Sequence, residues 1–357
     1  MTPEAATPRH PSVADPAPVR VEERCPPEAW DRYVEANPAS TLFHGRAWQR
    51  VLERSFPYRP CHRVALRGET VVGVLPLYRV PGLPRGHSLV STPLAVYGGV
   101  CADDDEAARA LLEDAEALAR RQGSRYVELR HERAIGALPT KDLYVTFRRP
   151  ILPDREGNLA LVPRNQRRSI RVAEKHGLTA RVGGEDLLAG FYDVYSESVR
   201  NLGSPVFPRA LFASLLEEYG TRCRILAVFH EGRMVSGVLT LFHRDQVMPY
   251  YGGSTREGIQ VAANDFMYWS LLCHGAEEGY RVFDFGRSKR DTGAYHFKRH
   301  WGFEPTPLAY QYQLVGQREL PNLSPANPKF DLAIRVWRRL PLKLTQWLGP
   351  RLVRYFP

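Results

Sequence analysis

Two stretches of the chain carry the same succession of apolar and polar positions. RVALRGETVVGVLPLY, TPLAVYGGV and AARALLEDAEALARRQGSRYVELR follow one another in the first. RILAVFHEGRMVSGVLTLF, VMPYYGGS and ANDFMYWSLLCHGAEEGYRVFDFGRS do so in the second. Apolar runs flank Arg67-Gly68-Glu69 and Glu231-Gly232-Arg233, which predicts a β-hairpin in each. A Gly-Gly pair follows, at Gly98-Gly99 and at Gly252-Gly253. Next comes a helix, stopped by Gly123 or Gly279, since a left-handed residue closes a helix at little cost when it is glycine. A short apolar strand ends each unit, Tyr126–Leu129 and Val282–Phe285. AWQRVLERSF and ALFASLLEEYG predict helices ahead of the two hairpins. The same order at a nearly constant offset implies a duplicated domain. The expected fold is mixed α/β (α+β), with largely antiparallel strands flanked by helices.

The length of 357 residues suits two domains. The expected division is a disordered leader over 1–20, a first domain over 21–158, a second over 159–320 that opens with a linker helix at 163–177, and a basic aromatic tail over 321–357. No apolar run reaches the ~18 residues of a membrane span, and the Pro- and Ala-rich start lacks the apolar core of a secretory signal. Five scattered cysteines without a CxxC pair argue against a disulfide framework or zinc knuckle and fit a reducing cytoplasm. HExxH and GxxxxGK[ST] are absent, which removes zinc proteases and P-loop NTPases. The net charge of +10 points to an anionic partner. Half of it sits in the tail, where Arg335, Arg338, Arg339, Lys343, Arg351 and Arg354 face only Asp331.

The order hairpin, Gly-containing loop, helix, strand resembles the GNAT (N-acetyltransferase-like) core. Its tandem repetition resembles the FemAB group of aminoacyltransferases. The motifs are densest in the second half: NDFMYW (Asn264–Trp269), FDFGRSKRDTGAYHFKRHWGFEP (Phe283–Pro305), NPKF and the tail WRRLPLKL. These look like the FemAB-type proteins found with PEP-CTERM/exosortase and exopolysaccharide gene sets. RNQRRSIRVAEKHGL is similar to the basic linker helix of Fem-like proteins. The resemblance runs from about Glu22 onward. It implies two tandem GNAT-like acyltransferase domains, with two strands splayed around the acyl donor. The loop after YYGG would offer backbone N–H groups at a helix N-terminus, which suits phosphate. The acetyl-CoA signature Arg/Gln-x-x-Gly-x-Gly/Ala is missing, because RDTGAY ends in Tyr and GGSTREGIQVAAND does not fit it. Either aminoacyl-tRNA or acyl-CoA remains as co-substrate, with no tightly bound cofactor.

Lys298 matches the lysine of the Fem-like F-K-x-x-[FW]-G motif, and the resemblance places it near the reacting carbonyl. A fixed cation there steadies the oxyanion, typically by about 3 kcal/mol. A role as general base needs a strongly lowered pKa, so charge stabilisation or contact with a donor phosphate is expected instead. Asp284 lies in an apolar strand and needs a partner, expected to be Arg287 or Lys289, unless it acts as base for the acceptor. Its repeat mate is Glu128. Arg287, Ser288 and Lys289 follow Gly286 as an anion cradle. Tyr250, Tyr251, Gly252 and Gly253 line the expected cleft, and Asn264 or Asp265 caps the next helix. Arg164, Arg167, Arg168, Arg171 and Lys175 share one helix face, which suits RNA phosphates, a nucleotide-linked substrate or plain solvent. His296 and His300 have no third ligand, so no metal site is expected. The tail interleaves Leu, Val, Trp and Phe with Arg and Lys and is broken at Pro341 and Pro350. It suits an anionic membrane interface or a helix packed on the body with its basic face in water.

The leading expectation is a cytoplasmic acyltransferase, peripheral at the inner face of the membrane through residues 330–357. It moves an aminoacyl or acyl group onto an amine or hydroxyl of a sugar- or lipid-linked envelope or exopolysaccharide precursor. tRNA is a further partner and DNA is not. The first half has RHERAIGALPTKDLYV where the F-K-x-x-W-G motif would stand, so one active cleft is expected, in the second half. Two other readings remain. One is a CoA-dependent N/O-acetyltransferase of a polysaccharide precursor. The other is a non-catalytic peripheral-membrane assembly factor for exopolysaccharide, for which the tail would be the working part.

Overall fold

The computed structural model describes residues 17–82, 86–321 and 331–357. Most of the expected leader, and NPKF, lie outside the described residues. The first half contains β1 (Val19–Glu22), α1 (Pro27–Ala36), α2 (Arg46–Ser55), β2 (Arg59–Pro60), β3 (Arg63–Arg67), β4 (Thr70–Leu75), β5 (Leu77–Pro81), β6 (His87–Ser91), β7 (Cys101–Ala102), α3 (Asp105–Gln122), β8 (Tyr126–His131), β9 (Thr140–Lys141) and β10 (Tyr144–Pro150). Helices α4 (Arg155–Leu161) and α5 (Arg164–Lys175) lead into β11 (Thr179–Gly183), α6 (Glu185–Leu202) and α7 (Arg209–Tyr219). Then come β12 (Cys223–His230), β13 (Arg233–His243), β14 (Gln246–Ser254), α8 (Arg256–Gln260), α9 (Ala263–Glu277), β15 (Val282–Asp284), β16 (Ser288–Lys289), α10 (Gly293–His300), β17 (Pro305–Pro307) and β18 (Ala309–Leu314). The tail forms α11 (Asp331–Trp337) and α12 (Leu342–Val353).

Both hairpins form where the turns predict them. Gly68 takes a left-handed conformation between β3 and β4, and Glu231 and Gly232 both do so between β12 and β13. Gly123 ends α3 in the same conformation. The equivalent helices α2 and α7 pack together, joined at the surface by Arg50–Glu218 and Arg54–Glu217 ion pairs. Each half also has the parallel pair its repeat implies, β6 with β8 and β14 with β15.

The sheets do not follow the division of the sequence. β10 leaves the first half and pairs antiparallel with β15, Arg148 opposite Asp284. β18 leaves the second half and pairs with β8 over six residue pairs, from Ala309–His131 to Leu314–Tyr126. Each half thus donates its closing strand to the other half's sheet. The three-residue β15 and the parallel strand β8 would otherwise expose an unpaired edge, and the exchanged strands cover it. A boundary between residues 158 and 159 separates stretches of chain but not the sheets, because β10 belongs to the second sheet and β18 to the first. The largest core runs through both halves and includes Trp48, Tyr97, Phe212 and Tyr310, with Tyr250 packed against it.

The paired Gly-Gly segments differ. Gly252 and Gly253 lie within β14. Gly98 and Gly99 end an irregular, fully buried segment, Thr92–Gly99, in which Thr92 and Leu94 adopt positive φ. That segment runs beside β8: the Gly99 N–H donates to the Arg130 carbonyl, and Arg130 reaches back to the Ala95 carbonyl at 2.9 Å.

Candidate active site at the splayed strands

β14 and β15 are paired only at Gln246–Val282 and Val247–Phe283, and then separate. A bulge in the register with β13 leaves Tyr250 unpaired just beyond that point, which bends β14 away. Beside the point of separation, Gly252 approaches Tyr268, whose ring packs on those of Phe285 and Phe297. Tyr268 stands 4.9 Å from Phe285 and 5.5 Å from Phe297, centroid to centroid. A Cβ on Gly252 would meet the Tyr268 hydroxyl at 3.3 Å. Gly253 serves packing instead, its would-be Cβ 2.7 Å from Ser198 on α6. Tyr251 faces the rings of Tyr195, Phe207 and Phe212.

The turn after β15 is held from within. Lys298 on α10 is buried, and its Nζ donates to the carbonyls of Phe285 (2.7 Å), Gly286 (3.0 Å) and Arg287 (3.1 Å). Three donations require the ammonium form. Burial pushes the group down to about 7, with the Asp284 carboxylate opposing and Arg287 adding to the push. All three N–H groups are therefore committed to a backbone turn. Lys298 acts here by positioning the turn, in which Gly286 needs its left-handed φ of 62°.

Asp284 was expected to pair with Arg287 or Lys289, and it pairs with Arg148. The strand register sets this, since Arg148 lies opposite Asp284 on β10. Arg148 Nε donates to Asp284 at 2.7 Å, and its Nη atoms grip Glu132 at 2.7 and 3.0 Å. The Tyr97 hydroxyl donates to Asp284 at 3.0 Å and the Gly286 N–H at 2.7 Å. The Asp284 carboxylate, fully buried, is thus a knot joining the first half's Thr92–Gly99 segment, the exchanged strand β10 and the Lys298 turn. Its repeat mate Glu128 has a parallel partner, Arg130, at 2.9 Å.

Arg287 then projects into the junction between the halves. It lies over the rings of Tyr144 (4.8 Å) and Tyr310 (5.6 Å), and its Nη1 donates to the Tyr310 hydroxyl at 3.1 Å. Among the described residues it has no carboxylate at ion-pair distance. Lys289 and Lys141 stand nearby: burial, then Arg287 and Lys141, depress Lys289 to about 8. Four cations, Arg130, Arg287, Lys141 and Lys289, therefore share this region with Glu128. The buried hydroxyls of Tyr58 and Tyr251 have no hydrogen-bond partner among the described residues, nor does that of Ser288 on β16. The field of Arg287 reaches the Tyr251 phenol, which burial raises well above its ordinary value. A cavity of about 530 Å³ opens at the edge of this junction, lined by Val80, Val90, Tyr126, Leu320 and Tyr355–Pro357. The Pro357 carbonyl accepts from Arg130 at 2.8 Å.

Other expected site residues lie elsewhere. Arg164, Arg168 and Arg171 are exposed, and Arg167 half-exposed, on the outer side of α5, which packs on α9 through Ile170 and Ala173. The loop after β14 is not a bare cradle of N–H groups. The Arg256 N–H donates to Glu197 and the Gly258 N–H to Thr255 Oγ1, which caps α8. Neither Asn264 nor Asp265 caps α9. Ala262 precedes it with positive φ, and Asp265 accepts from the Trp301 indole at 2.9 Å. His296 and His300 are both exposed. Reading the sequence missed Arg148, Tyr97, Tyr144, Tyr310 and the Arg130–Glu128 pair. The only hint was the acid shared by the two repeats, Glu128 and Asp284, since a buried carboxylate implies a nearby donor.

Residues 163–299 match the model of the acetyltransferase (GNAT) domain, so the second half carries an acyltransferase domain. No curated protein matches the chain in sequence. Among solved structures it resembles FemX, at 16% identity and a TM-score of 0.64 over 82% of this chain and 97% of that one. It also resembles L-PGS from Bacillus licheniformis (15%, TM-score 0.54, 89% and 99%). A tandem GNAT protein from the clavulanic acid biosynthesis pathway is similar too (14%, TM-score 0.51, 82% and 94%). The tandem GNAT-like fold expected from the repeat is the fold observed. No helix among the described residues is long and apolar enough to cross a membrane.

Proposed function

We propose that the protein is a Fem-type acyltransferase in which the second half performs the transfer. The donor's acyl arm enters the gap between β14 and β15, and an anionic acceptor reaches Arg287 from the junction between the halves. The observation that carries this reading is the Phe285–Arg287 turn, held by Lys298, from which Arg287 reaches the Tyr144 and Tyr310 rings with no carboxylate at ion-pair distance among the described residues. The acceptor's amine or hydroxyl attacks the donor carbonyl. A new C–N or C–O bond forms, the donor's ester or thioester bond breaks, and the acceptor's proton passes to the leaving group. Lys298 holds the turn for this step, and Arg287 orients the acceptor through a phosphate or carboxylate.

Aminoacyl-tRNA is the favoured donor. The first-turn N–H groups of α8 that a nucleotide diphosphate would use are spent on Glu197 and Thr255, and Glu257 lies in the same turn. The exposed arginines of α5 offer phosphate contacts instead. The acceptor is read as a sugar- or lipid-linked envelope precursor, of the kind made with exopolysaccharide and PEP-CTERM systems, and the reaction as cytoplasmic. FemX and L-PGS share the fold, and the assignment of donor and acceptor to this chain is ours.

The test is a transfer assay offering charged tRNA and acyl-CoA with muropeptide, amino-sugar and lipid-linked acceptors. Transfer from charged tRNA, with the acceptor KM raised roughly 30-fold by Arg287→Ala, is expected from the loss of one charge-assisted contact. Transfer from acyl-CoA alone would replace the donor. A folded Arg287→Ala protein with unchanged KM and kcat would sink the acceptor site.

A further inference from the structure

The tail helices bury one face and leave a second face that is neither polar nor apolar. α11 seats Trp337, whose indole N–H donates to the Ser204 carbonyl at 2.9 Å. α12 seats Thr345, Gly349 and Val353 at four-residue steps, and Gln346 donates to Asp193 on α6 at 3.0 Å. A Cβ on Gly349 would lie 2.7 Å from the Val206 carbonyl oxygen, so α12 is held close to the body. The helix starts directly after Pro341 and runs through Pro350, where the sequence suggested a break. Helical periodicity places Leu332, Arg335 and Val336 together on α11, opposite Trp337, and Arg339 follows in the turn after the helix. It places Lys343, Leu344, Trp347 and Arg351 together on α12, opposite the seated stripe. The Arg351 guanidinium lies 4.2 Å from the Trp347 ring centroid.

This face concentrates what the rest of the surface avoids. Eight large apolar side chains are exposed among the described residues, and five of them belong to the tail: Leu332, Val336, Leu344 and Trp347 on this face, and Leu352 to its side. A sixth, Leu202, adjoins the tail, its carbonyl accepting from Arg338. Residues 332–357 contain six arginines and lysines and no acid. A helix that only needs water has no use for a tryptophan that is 58% exposed between cations. Nucleic acid would satisfy the charges and leave the aliphatic side chains in water. A surface that is negative outside and hydrocarbon just beneath satisfies both.

We propose that α11 and α12 seat the protein on an anionic lipid bilayer, with Leu332, Val336, Leu344 and Trp347 at the acyl boundary and the cations on headgroup phosphates. The Tyr355–Pro357 segment directly after α12 lines the cavity at the junction of the halves, so the same contact brings that cavity's mouth toward the membrane. The inference goes beyond the transfer reading and requires no catalysis. Seating can fail while transfer to a water-soluble acceptor persists, and the reverse.

The experiment is co-sedimentation of the full chain with vesicles of phosphatidylcholine alone and of phosphatidylcholine mixed with phosphatidylglycerol, at low and high salt. Binding at least ~10-fold tighter to the anionic vesicles is expected. Leu344→Ser with Trp347→Ser should weaken it roughly 10-fold at all salt concentrations. Lys343→Gln with Arg351→Gln should weaken it roughly 10-fold at low salt and flatten the salt dependence. Thermal unfolding of both double variants should match the parent, since all four side chains are exposed. Equal partition onto neutral and anionic vesicles, or undiminished binding by both variants, would overturn the proposal. So would a dimer in light scattering that the Leu344→Ser, Trp347→Ser protein dissolves, because the face would then be a contact between two copies.

Discussion

In the first half the chain after β6 folds back as Thr92–Gly99 and fills the space beside β8. In the second half the chain runs on as β14 to Ser254 and parts from β15, leaving a gap. Gly99 lies against the His131 ring, where a Cβ would be only 1.9 Å from the nearest ring carbon. A Cβ on Gly252 would meet the Tyr268 hydroxyl at 3.3 Å and Val238 at 3.5 Å, a close fit without the overlap seen at Gly99. The first half's filler is also what braces the second half. Tyr97 donates to Asp284, and the Leu94 and Val96 carbonyls accept from Tyr250 (2.8 Å) and Tyr310 (2.6 Å). Duplication thus produced one open unit and one closed unit, and the closed unit became the support for the open one.

Lys298→Met tests the open side most severely. Losing the three donors leaves three carbonyls unmatched and lets the turn shift, and a misplacement of about 1 Å costs roughly 100-fold in rate. Transfer should fall by that order, with the acceptor KM raised as in Arg287→Ala. Unchanged kinetics in a folded Lys298→Met protein would remove its positioning role. The glycine pair sharpens the contrast directly. Gly99→Ala should lower unfolding free energy by about 3 kcal/mol, the upper range for overpacking a tight site. Gly252→Ala should cost less than ~1 kcal/mol yet reduce kcat/KM for the donor. Urea unfolding of both, with kinetics on the second, decides this, and equal destabilisation would mean that the gap is as full as the closed side.

The closed side is also where acid should act. His44 and His131 are buried and held down to about 4 by desolvation. His131 Nε2 accepts the Val100 N–H at 2.9 Å, and its Nδ1 side meets Gln311 of the exchanged β18 at the same distance, so the neutral ring is the one that fits. The unfolded chain, with imidazoles near 6.5, binds more protons than the folded chain between pH 6.5 and 4. The stability these two imidazoles contribute is therefore fully present above about 6.5 and is lost as pH drops toward 4. Unfolding midpoints that stay level across that window would contradict this. The smallest effect is expected from Tyr251→Phe. Its hydroxyl has no hydrogen-bond partner among the described residues, so stability should change by less than ~0.5 kcal/mol, while acceptor binding changes if that hydroxyl meets substrate.

The hairpins, the helix stops and the repeat were legible because each is local. Apolar alternation and a glycine at a positive-φ turn act within a few residues and leave a mark in the order of the letters. The basic stripe of α5 was legible for the same reason. The site was legible only in part. Lys298, Asp284 and Arg287 were identified as residues that matter, but their partners were not. Asp284 meets Arg148 because two strands 136 positions apart fall in register. Lys298 spends its donors on a turn because α10 packs beneath it.

The sequence alone therefore determined the element order, the duplication and the side chains with chemistry to offer. Tertiary structure decided which half stays open, which sheet each closing strand joins and which charges remain unpaired. Those outcomes depend on edge pairing, burial and close contact between distant segments, and each exists only once the halves have exchanged strands and expelled the water between them.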